Sequence, residues 1–245
     1  MHVYIYDDYL NKSKFNRQIN QLEIRLTDLG LNGKIIRLGA IKNIKGAVQN
    51  EIKMGAKTIV AVGNNQTVNK IIGAIIDNDV YGDFQKKTLL GIVPIGDDNS
   101  IATSFGIKNI DEACSILLAR RIEKIDLGLA NNHYFLNNAS ISGAGTTINL
   151  GDYSLECTAK GEIHIINLLS GYQKNRFANP HDGRLDIYVK TKNGDDTHLT
   201  SNGFTIHNHD HELLVDGVVY IKTPVNIAVA KNRVSVVVGR DRSFE

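Results

Sequence analysis

The hydrophobic positions in the first half of the chain follow two different periods. The runs HVYIY, KIIRL, TIVAV and LLGIVPI are short and apolar, as in strands of a parallel sheet that is covered on both faces. Between them, apolar residues recur every three or four positions, which predicts helices over residues 14–29, 44–52, 68–76 and 110–124. This alternation predicts an open parallel sheet with right-handed crossovers.

The pattern changes after about Asp126, where helical periodicity ends. Short strand-like runs follow, including EIHIINLL, RLDIYVKT, VNIAVA and VSVVVG, and turn signals such as Asp182-Gly183, Asn193-Gly194 and Asn232 separate them. We therefore predict an α/β protein with a Rossmann-like parallel-sheet domain over residues 1–127 and a β-rich, β-sandwich domain over residues 128–245. The last strand of the second domain is free to pack back on the first.

Composition narrows the class of protein but not its chemistry. Hydrophobic residues make up 42% of the chain and charged residues 22%, which is ordinary for a soluble globular protein, and no apolar run is long enough to cross a membrane. The net charge of +2 gives no argument for a nucleic-acid partner. Cys114 and Cys157 lack metal-ligand spacing, so we expect reduced thiols in a cytoplasmic protein.

One turn lies where α/β proteins hold phosphates. The segment Gly63-Asn64-Asn65-Gln66-Thr67 follows the buried run TIVAV and precedes a helical pattern, and the segment IGDDNS follows the next buried run. Both turns are expected at the carboxyl edge of the sheet, where open α/β sheets bind ligands. The alternative interpretation of the first turn is a plain strand-to-helix connection in which an asparagine caps the helix.

Three stretches, VGNNQTVNKII, GIVPIGDDNSIATSFGI and KIDLGLANNHYFLNNASIS, together resemble the catalytic domain of the diacylglycerol kinase family, which includes bacterial lipid kinases and, more distantly, NAD kinases. The family pattern has Gly-Gly-Asp-Gly-Thr in the first stretch, Pro-x-Gly-Thr-x-Asn-Asp in the second and Val-Asp-Leu-Gly in the third. Two weaker matches, HDGRLDIYV and VDGVVYIKTPVNIAVAKNRVSVVV, extend the resemblance over almost the whole chain. The family's helical segment after the third stretch is largely missing.

The resemblance implies a nucleotide site, but the match there is uneven. It implies ATP and Mg²⁺ as cofactors and places the nucleotide on Gly63, Asn64, Asn65, Gln66, Thr67, Gly96 and Asn99. Asn65 stands where the family has aspartate, and a neutral amide attracts Mg²⁺ less than a carboxylate does. Asp97 and Asp98 are candidate substitute metal ligands, although without a metal they would repel phosphate.

On the acceptor side, the resemblance implies that Asp216 is the catalytic group that accepts the hydroxyl proton, with Val218 in place of a glutamate partner. It assigns Asp126 to a charged network near the nucleotide, as a candidate magnesium ligand, and Asp182 to a structural magnesium site with the carbonyls of Asn179 and Arg184. From the residues alone, Asp216-Gly217 and Asp182-Gly183 are equally typical of tight turns.

Two functions stay open at this point. One is ATP-dependent phosphoryl transfer to the hydroxyl of a diacylglycerol-like lipid or another small acceptor. The other is a catalytically inactive pseudo-kinase that binds or scaffolds. Peripheral membrane contact through the basic run near the C-terminus and homo-oligomerisation are both compatible with the sequence. His207, His209 and His211 alternate in a way that could hold a transition metal, although a solvated loop is the commoner meaning of such a run.

Overall fold

A computed structural model describes residues 1–39, 43–77, 88–169, 178–191 and 196–244. The chain divides into two compact units. Unit 1 contains residues 1–125 together with residues 233–243, and unit 2 contains residues 126–232 together with Phe244. Two strands run across the division, so residues from both ends of the sequence build unit 1.

Unit 1 contains a parallel sheet with the strand order β2-β1-β3-β4. Its elements are β1 (His2–Tyr6), α1 (Asn16–Asp28), β2 (Lys34–Arg37), α2 (Ile44–Lys53), β3 (Thr58–Gly63), α3 (Asn65–Asp77), β4 (Leu89–Pro94), α4 (Ser100–Ser104) and α5 (Ile110–Ala119). Two short 3-10 helices, Asp8–Asn11 and Ser13–Phe15, precede α1. The edge of β4 that faces away from β3 pairs in parallel with Ser235 and Val236 near the C-terminus.

The predicted strands and helices of unit 1 occur because their apolar positions are buried together. Every residue of β3 and of β4 is buried, as the continuous apolar runs require for central parallel strands. In α3 the residues at helical spacing, from Val68 to Ile76, form the buried face. The parallel-sheet prediction for this half is therefore confirmed.

Helix α5 is shorter than predicted. Asn109 caps its first turn, since the backbone N–H of Glu112 donates to Asn109 Oδ1 at 2.9 Å. The helix ends at Ala119 because Arg120 has φ +53, in the left-handed region that terminates helices. Residues 122–124, which periodicity placed in the helix, instead begin strand β5 (Ile122–Ala130).

Unit 2 is built from strands in the part of the chain that the structure describes. After β5 these are β6 (His133–Phe135), β7 (Asn138–Ser142), β8 (Thr146–Asn149), β9 (Ser154–Cys157), β10 (Gly161–Ile166), β11 (Leu185–Thr191), β12 (Asp196–Ser201), β13 (Gly203–His207), β14 (Leu213–Val215), β15 (Val219–Ile221) and β16 (Val225–Val237). One sheet has the order β12-β11-β10-β7-β14-β15, all antiparallel. In a second antiparallel array, the first half of β16 pairs with β13, β13 with β8, and β8 with β9.

The two arrays of unit 2 share one hydrophobic core, which makes the β-sandwich that the sequence predicts. Ile141, Ile163 and Ile187 from the six-stranded sheet belong to the same buried cluster as Ile206 and Ile227 from the second array. The structure differs from the prediction at Asn232, which does not separate two strands. It has φ +51 within the single long strand β16, a backbone conformation that asparagine tolerates better than most residues.

Both cysteines are free and buried, as predicted for reduced thiols. Burial raises the pKa of the Cys114 thiol to about 11 and also raises that of Cys157. Within the described residues, no helix combines the length and the apolar character that crossing a membrane demands.

Candidate functional site

Three loops of unit 1 meet at the carboxyl edge of its sheet. They follow β1, β3 and β4, and they contain Asp7 to Tyr9, the Gly63–Thr67 turn, and residues 95–100. Because neighbouring parallel strands end at the same edge, side chains from the three loops are within hydrogen-bonding distance of one another.

The Gly63–Thr67 turn is held by Thr67. A Cβ on Gly63 would overlap the Thr67 side chain, so only glycine fits at that position. The fully buried Thr67 hydroxyl donates a hydrogen bond of 2.6 Å to Asp7 Oδ2, and Asp7 is itself buried. The N–H of Thr67 donates to Asn64 Oδ1 at 3.3 Å, so Asn64 caps α3.

Asn65 joins this turn to the loop after β4. Its side-chain Nδ2 donates to Asp98 Oδ1 at 2.6 Å and to Ser100 Oγ at 2.8 Å, and its Oδ1 accepts from the N–H of Ile101 at 2.9 Å. Its backbone N–H donates to the carbonyl oxygen of Asp98 at 3.0 Å. Gln66, by contrast, points into solvent.

The loop after β4 packs against Tyr9. The Tyr9 hydroxyl donates to the carbonyl oxygen of Ile95 at 2.6 Å, and a Cβ on Gly96 would lie 2.9 Å from that hydroxyl. Burial, with the Asp7 carboxylate nearby, raises the pKa of Tyr9 to about 12, so the phenol stays neutral. Asn99 Nδ2 donates to the Gly96 carbonyl oxygen at 2.6 Å, whereas Asn99 Oδ1 is buried without a partner among the described residues.

Three backbone amides of this turn already donate to groups of the protein. The N–H of Asn64 donates to Thr67 Oγ1 at 3.3 Å, and the N–H groups of Asn65 and Thr67 donate as described above. An anion that binds to any of these three amides would therefore have to displace a protein hydrogen bond. This arrangement agrees with the capping alternative stated for the turn.

In unit 2, Asp216 holds the segment between β6 and β7. Its Oδ1 accepts from the N–H groups of Asn137 and Asn138 at 3.0 and 3.2 Å, and its Oδ2 accepts from the N–H of Leu136 at 3.1 Å. Burial raises the pKa of the Asp216 carboxyl to about 6, and these three amides act against that rise. The residue lies in the turn between β14 and β15 with φ +46.

Asp126 is a buried structural carboxylate. It is 2% exposed, its Oδ1 accepts from the N–H of Asn232 at 2.6 Å, and its Oδ2 accepts from the N–H of Gly183 at 3.0 Å. Both oxygens thus bind backbone amides of unit 2. Metal ligation by Asp126, as the resemblance implied, would compete with both of these hydrogen bonds.

Asp182 is exposed and forms a local turn, since its Oδ1 accepts from the N–H of Arg184 at 2.8 Å. The side chain of Lys231 lies across the neighbouring Gly183, close enough that a Cβ on this glycine would overlap it. A lysine ammonium therefore lies beside the position that the resemblance assigned to a structural magnesium ion. Two cations at such short range would repel each other.

The described residues contain no group of three or more His, Cys, Asp or Glu side chains that could hold a metal ion. This finding argues against a metal on His207, His209 and His211. Mg²⁺, however, commonly uses only one or two carboxylates and takes its other ligands from water and substrate phosphates. The exposed carboxylates of Asp97 and Asp98, next to the Asn65 network, fit that requirement.

A separate pocket of about 780 Å³ lies in unit 2, over the β7 and β14 side of the six-stranded sheet. His209 and His211 line it together with Glu162, Tyr220 and Lys222. None of the residues that the resemblance assigned to the nucleotide, the metal or the proton acceptor lines this pocket, and no role for it follows from the family motifs.

Sequence reasoning identified the turn residues, and the resemblance matched YDDYLNKS to another phosphate-contacting loop of the family, but neither singled out Asp7 or Tyr9. The signal available was their position, because YDDY directly follows the first strand and must lie at the same sheet edge as the other two loops. The missing information was that Asp7 would accept a hydrogen bond from Thr67.

Comparison with known proteins identifies the family. A family profile described as "Diacylglycerol kinase catalytic domain" matches residues 3–130. "Probable lipid kinase YegS-like" of Enterobacter sp. (strain 638) is 28% identical over 127 residues, which cover 50% of this chain and 41% of that protein. The protein of the same name from Yersinia enterocolitica is 30% identical over 139 residues, which cover 56% and 45%. Each match thus spans less than half of the relative's length.

Solved structures resemble the fold over nearly the whole chain. A putative diacylglycerol kinase from Bacillus anthracis str. Sterne superposes with a TM-score of 0.83 at 15% identity, covering 98% of this chain and 96% of the other. A second structure, of a diacylglycerol kinase from the same strain, gives a TM-score of 0.82 at 16% identity, with 98% coverage of this chain and 97% of the other. At such identities the likeness establishes the fold alone.

Proposed function

Because the chain belongs to the family of diacylglycerol kinase catalytic domains, we propose that it transfers a phosphoryl group from ATP to the hydroxyl of a lipid. The observation that supports this proposal best is the state of Asp216. Its carboxylate occupies the position that the resemblance assigns to the proton acceptor, and three backbone amides hold it in one orientation.

The chemistry of Asp216 suits an acceptor of a hydroxyl proton. A carboxylate has about four lone-pair sites, and three amides leave one unused, on Oδ2. A pKa of about 6 keeps the group ionised at pH 7 while making it more basic than an ordinary aspartate. An alcohol that donates to Oδ2 would therefore meet an oriented base that needs no glutamate at position 218.

On the nucleotide side, the proposal assigns ATP to the Gly63–Thr67 turn and to Gly96 and Asn99. Either Asp97 or Asp98 would hold Mg²⁺, which when bound neutralises phosphate charge in reactions of this kind. The unsatisfied buried Asn99 Oδ1 could accept a hydrogen bond from a ligand or a metal-bound water. Positioning and electrostatic stabilisation supply most of the catalysis in phosphoryl transfer, so these contacts matter more than covalent chemistry.

A second candidate function, a protein of this family that binds without transferring phosphate, is favoured by one specific observation. The amides of Asn64, Asn65 and Thr67 donate to groups of the protein, so the turn offers fewer free donors to a phosphate than a glycine-rich loop does. In this case the chain would retain the fold and lose turnover.

One experiment separates the two candidates. The purified protein is incubated with radiolabelled ATP, Mg²⁺ and mixed micelles that contain diacylglycerol or other lipid alcohols, alongside calorimetric titration with Mg·ATP. As a control for Asp216→Asn, Asp152→Asn removes an exposed carboxylate in the β8–β9 turn.

Lipid phosphorylation that falls by about 100-fold or more in Asp216→Asn, and stays unchanged in Asp152→Asn, supports the kinase. Phosphorylation that survives in Asp216→Asn refutes the assignment of the base. Binding of ATP without product supports the second candidate. If the protein neither binds ATP nor forms a phosphorylated lipid, both candidate functions are contradicted.

A further inference from the structure

We propose that Asn65 is a positioning residue for Asp98: the amide of Asn65 orients the Asp98 carboxylate, and an aspartate at position 65 is compatible with asparagine but not with aspartate at position 98. The contacts within unit 1 support the pairing. The assignment of Asp98 to the metal–nucleotide side rests on the proposed function.

Asn65 uses its whole side chain on the loop after β4. Both N–H bonds of its amide point at acceptors, Asp98 Oδ1 and Ser100 Oγ, and its carbonyl oxygen accepts from the N–H of Ile101. The residue is 9% exposed, so water cannot readily replace these partners. These partners fix the orientation of the Asn65 amide. If its oxygen and nitrogen were exchanged, the oxygen would face the Asp98 carboxylate oxygen.

An aspartate at position 65 would not fit beside Asp98. It has no proton to donate at neutral pH, so two carboxylate oxygens would face each other across the 2.6 Å now bridged by a hydrogen bond. The N–H of Ile101 would still find an acceptor, and Ser100 could turn its hydroxyl to donate. The repulsion from Asp98 is therefore the specific defect of this substitution.

Asp98 can lose its charge without losing the contact. An asparagine at position 98 presents a carbonyl oxygen to Asn65 Nδ2, and its backbone, at φ +59, suits asparagine at least as well as aspartate. With aspartate at position 65, the same asparagine can turn its amide and donate. Asp98→Asn should therefore be tolerated alone and should also rescue Asn65→Asp.

The pairing directs the charge of Asp98 outward. Oδ1 is held by Asn65 and, at 3.3 Å, by Ser100, while the residue as a whole is exposed. The other oxygen, Oδ2, is therefore left for a ligand at the carboxyl edge of the sheet, beside the N-terminus of α3. Asp97 is also exposed, but among the described residues it has no hydrogen bond to Asn65, so its carboxylate lacks this orientation.

The test is a set of four variants: Asn65→Asp, Asp98→Asn, the double variant, and Asp97→Asn as the matched control. Thermal unfolding of each is measured first. We expect Asn65→Asp to lower the Tm by at least about 4 °C, and the other three to stay within about 2 °C of the original protein. A double variant as unstable as Asn65→Asp would overturn the pairing, and so would an Asn65→Asp variant with an unchanged Tm.

The second measurement is the affinity for ATP with and without Mg²⁺, by calorimetry. Asp98→Asn should reduce the enhancement by Mg²⁺ about tenfold or more, whereas Asp97→Asn should change it less than about threefold. Equal effects of the two variants would overturn the assignment of Asp98. If the original protein binds no ATP, the proposed function and this assignment both fail, and the thermal series still decides the pairing on its own.

Discussion

Asp216 should make the stability of unit 2 depend on pH in the direction opposite to that of a salt-bridged carboxylate. Its pKa is raised from 3.8 to about 6 in the folded protein, chiefly by burial. Between these values the folded state binds more protons than the unfolded state, so the free energy of unfolding falls as the pH rises through this window. The contribution is fully present below about pH 4 and is lost above about pH 6.

The size of the effect follows from the shift. A difference of about two pKa units corresponds to at most about 3 kcal/mol, because each unit is about 1.4 kcal/mol. About 2 kcal/mol of this falls between pH 4.5 and 7.5. Replacing Asp216 with asparagine removes the titration while keeping the shape, and both proteins share every other titratable group. The stability difference between them therefore isolates Asp216.

Hydrogen exchange of the amides in β10 and β11 reports on unit 2 alone. Comparing the two proteins at the same pH cancels the intrinsic exchange rate. We expect the ratio of protection factors, original protein over Asp216→Asn, to fall about 30-fold from pH 4.5 to 7.5. A ratio that does not change with pH would refute the raised pKa. A ratio that increases with pH would mean that the three amides outweigh burial.

Three further predictions each test a feature inside one of the two units. Thr67→Val keeps the side-chain shape but leaves the buried Asp7 carboxylate without its hydroxyl donor. We expect the free energy of unfolding, measured with denaturant, to fall by about 1–3 kcal/mol. A fall of less than about 0.5 kcal/mol would contradict the role of this hydrogen bond. Asp126→Ala leaves the backbone amides of Gly183 and Asn232 unsatisfied and should lower the Tm by about 5–15 °C. A shift under about 2 °C would show that these two hydrogen bonds are dispensable for stability. The pKa of Cys114 near 11 predicts negligible alkylation by iodoacetamide at pH 7.5 in the folded protein and full alkylation in urea; rapid labelling without urea would refute its burial.

The sequence was sufficient for the elements whose periodicity is strong. Strands β3 and β4 are continuous apolar runs, and α3 repeats its apolar residues at helical spacing, so local pattern and tertiary burial agree there. It was insufficient for β12, whose residues DTHLTS are mostly exposed and polar. It also could not place the end of α5, because Ile122 continues the apolar pattern after the helix has stopped at Arg120.

For the candidate site, the sequence located the residues but not their partners. That Asn65 replaces an acidic family position was visible, and the natural expectation was a lost charge. The hydrogen bond to Asp98 depends on a left-handed backbone at position 98 and on contact between two loops whose bonded residues are 33 positions apart in the chain. No local pattern encodes that meeting. The same limit applies to the three amides that bind Asp216 across about 80 residues.

The discontinuity of unit 1 affects the order in which the protein can fold during synthesis. Residues 233–243 belong to this unit, and Ser235 and Val236 cover the edge of β4. Until those residues leave the ribosome, β4 has an unpaired edge of buried, apolar residues, which is the kind of surface that pairs with other chains. The residues of unit 2, apart from Phe244, are synthesised without interruption before that point. Unit 1, most of whose residues are synthesised before those of unit 2, is therefore the unit that is completed last.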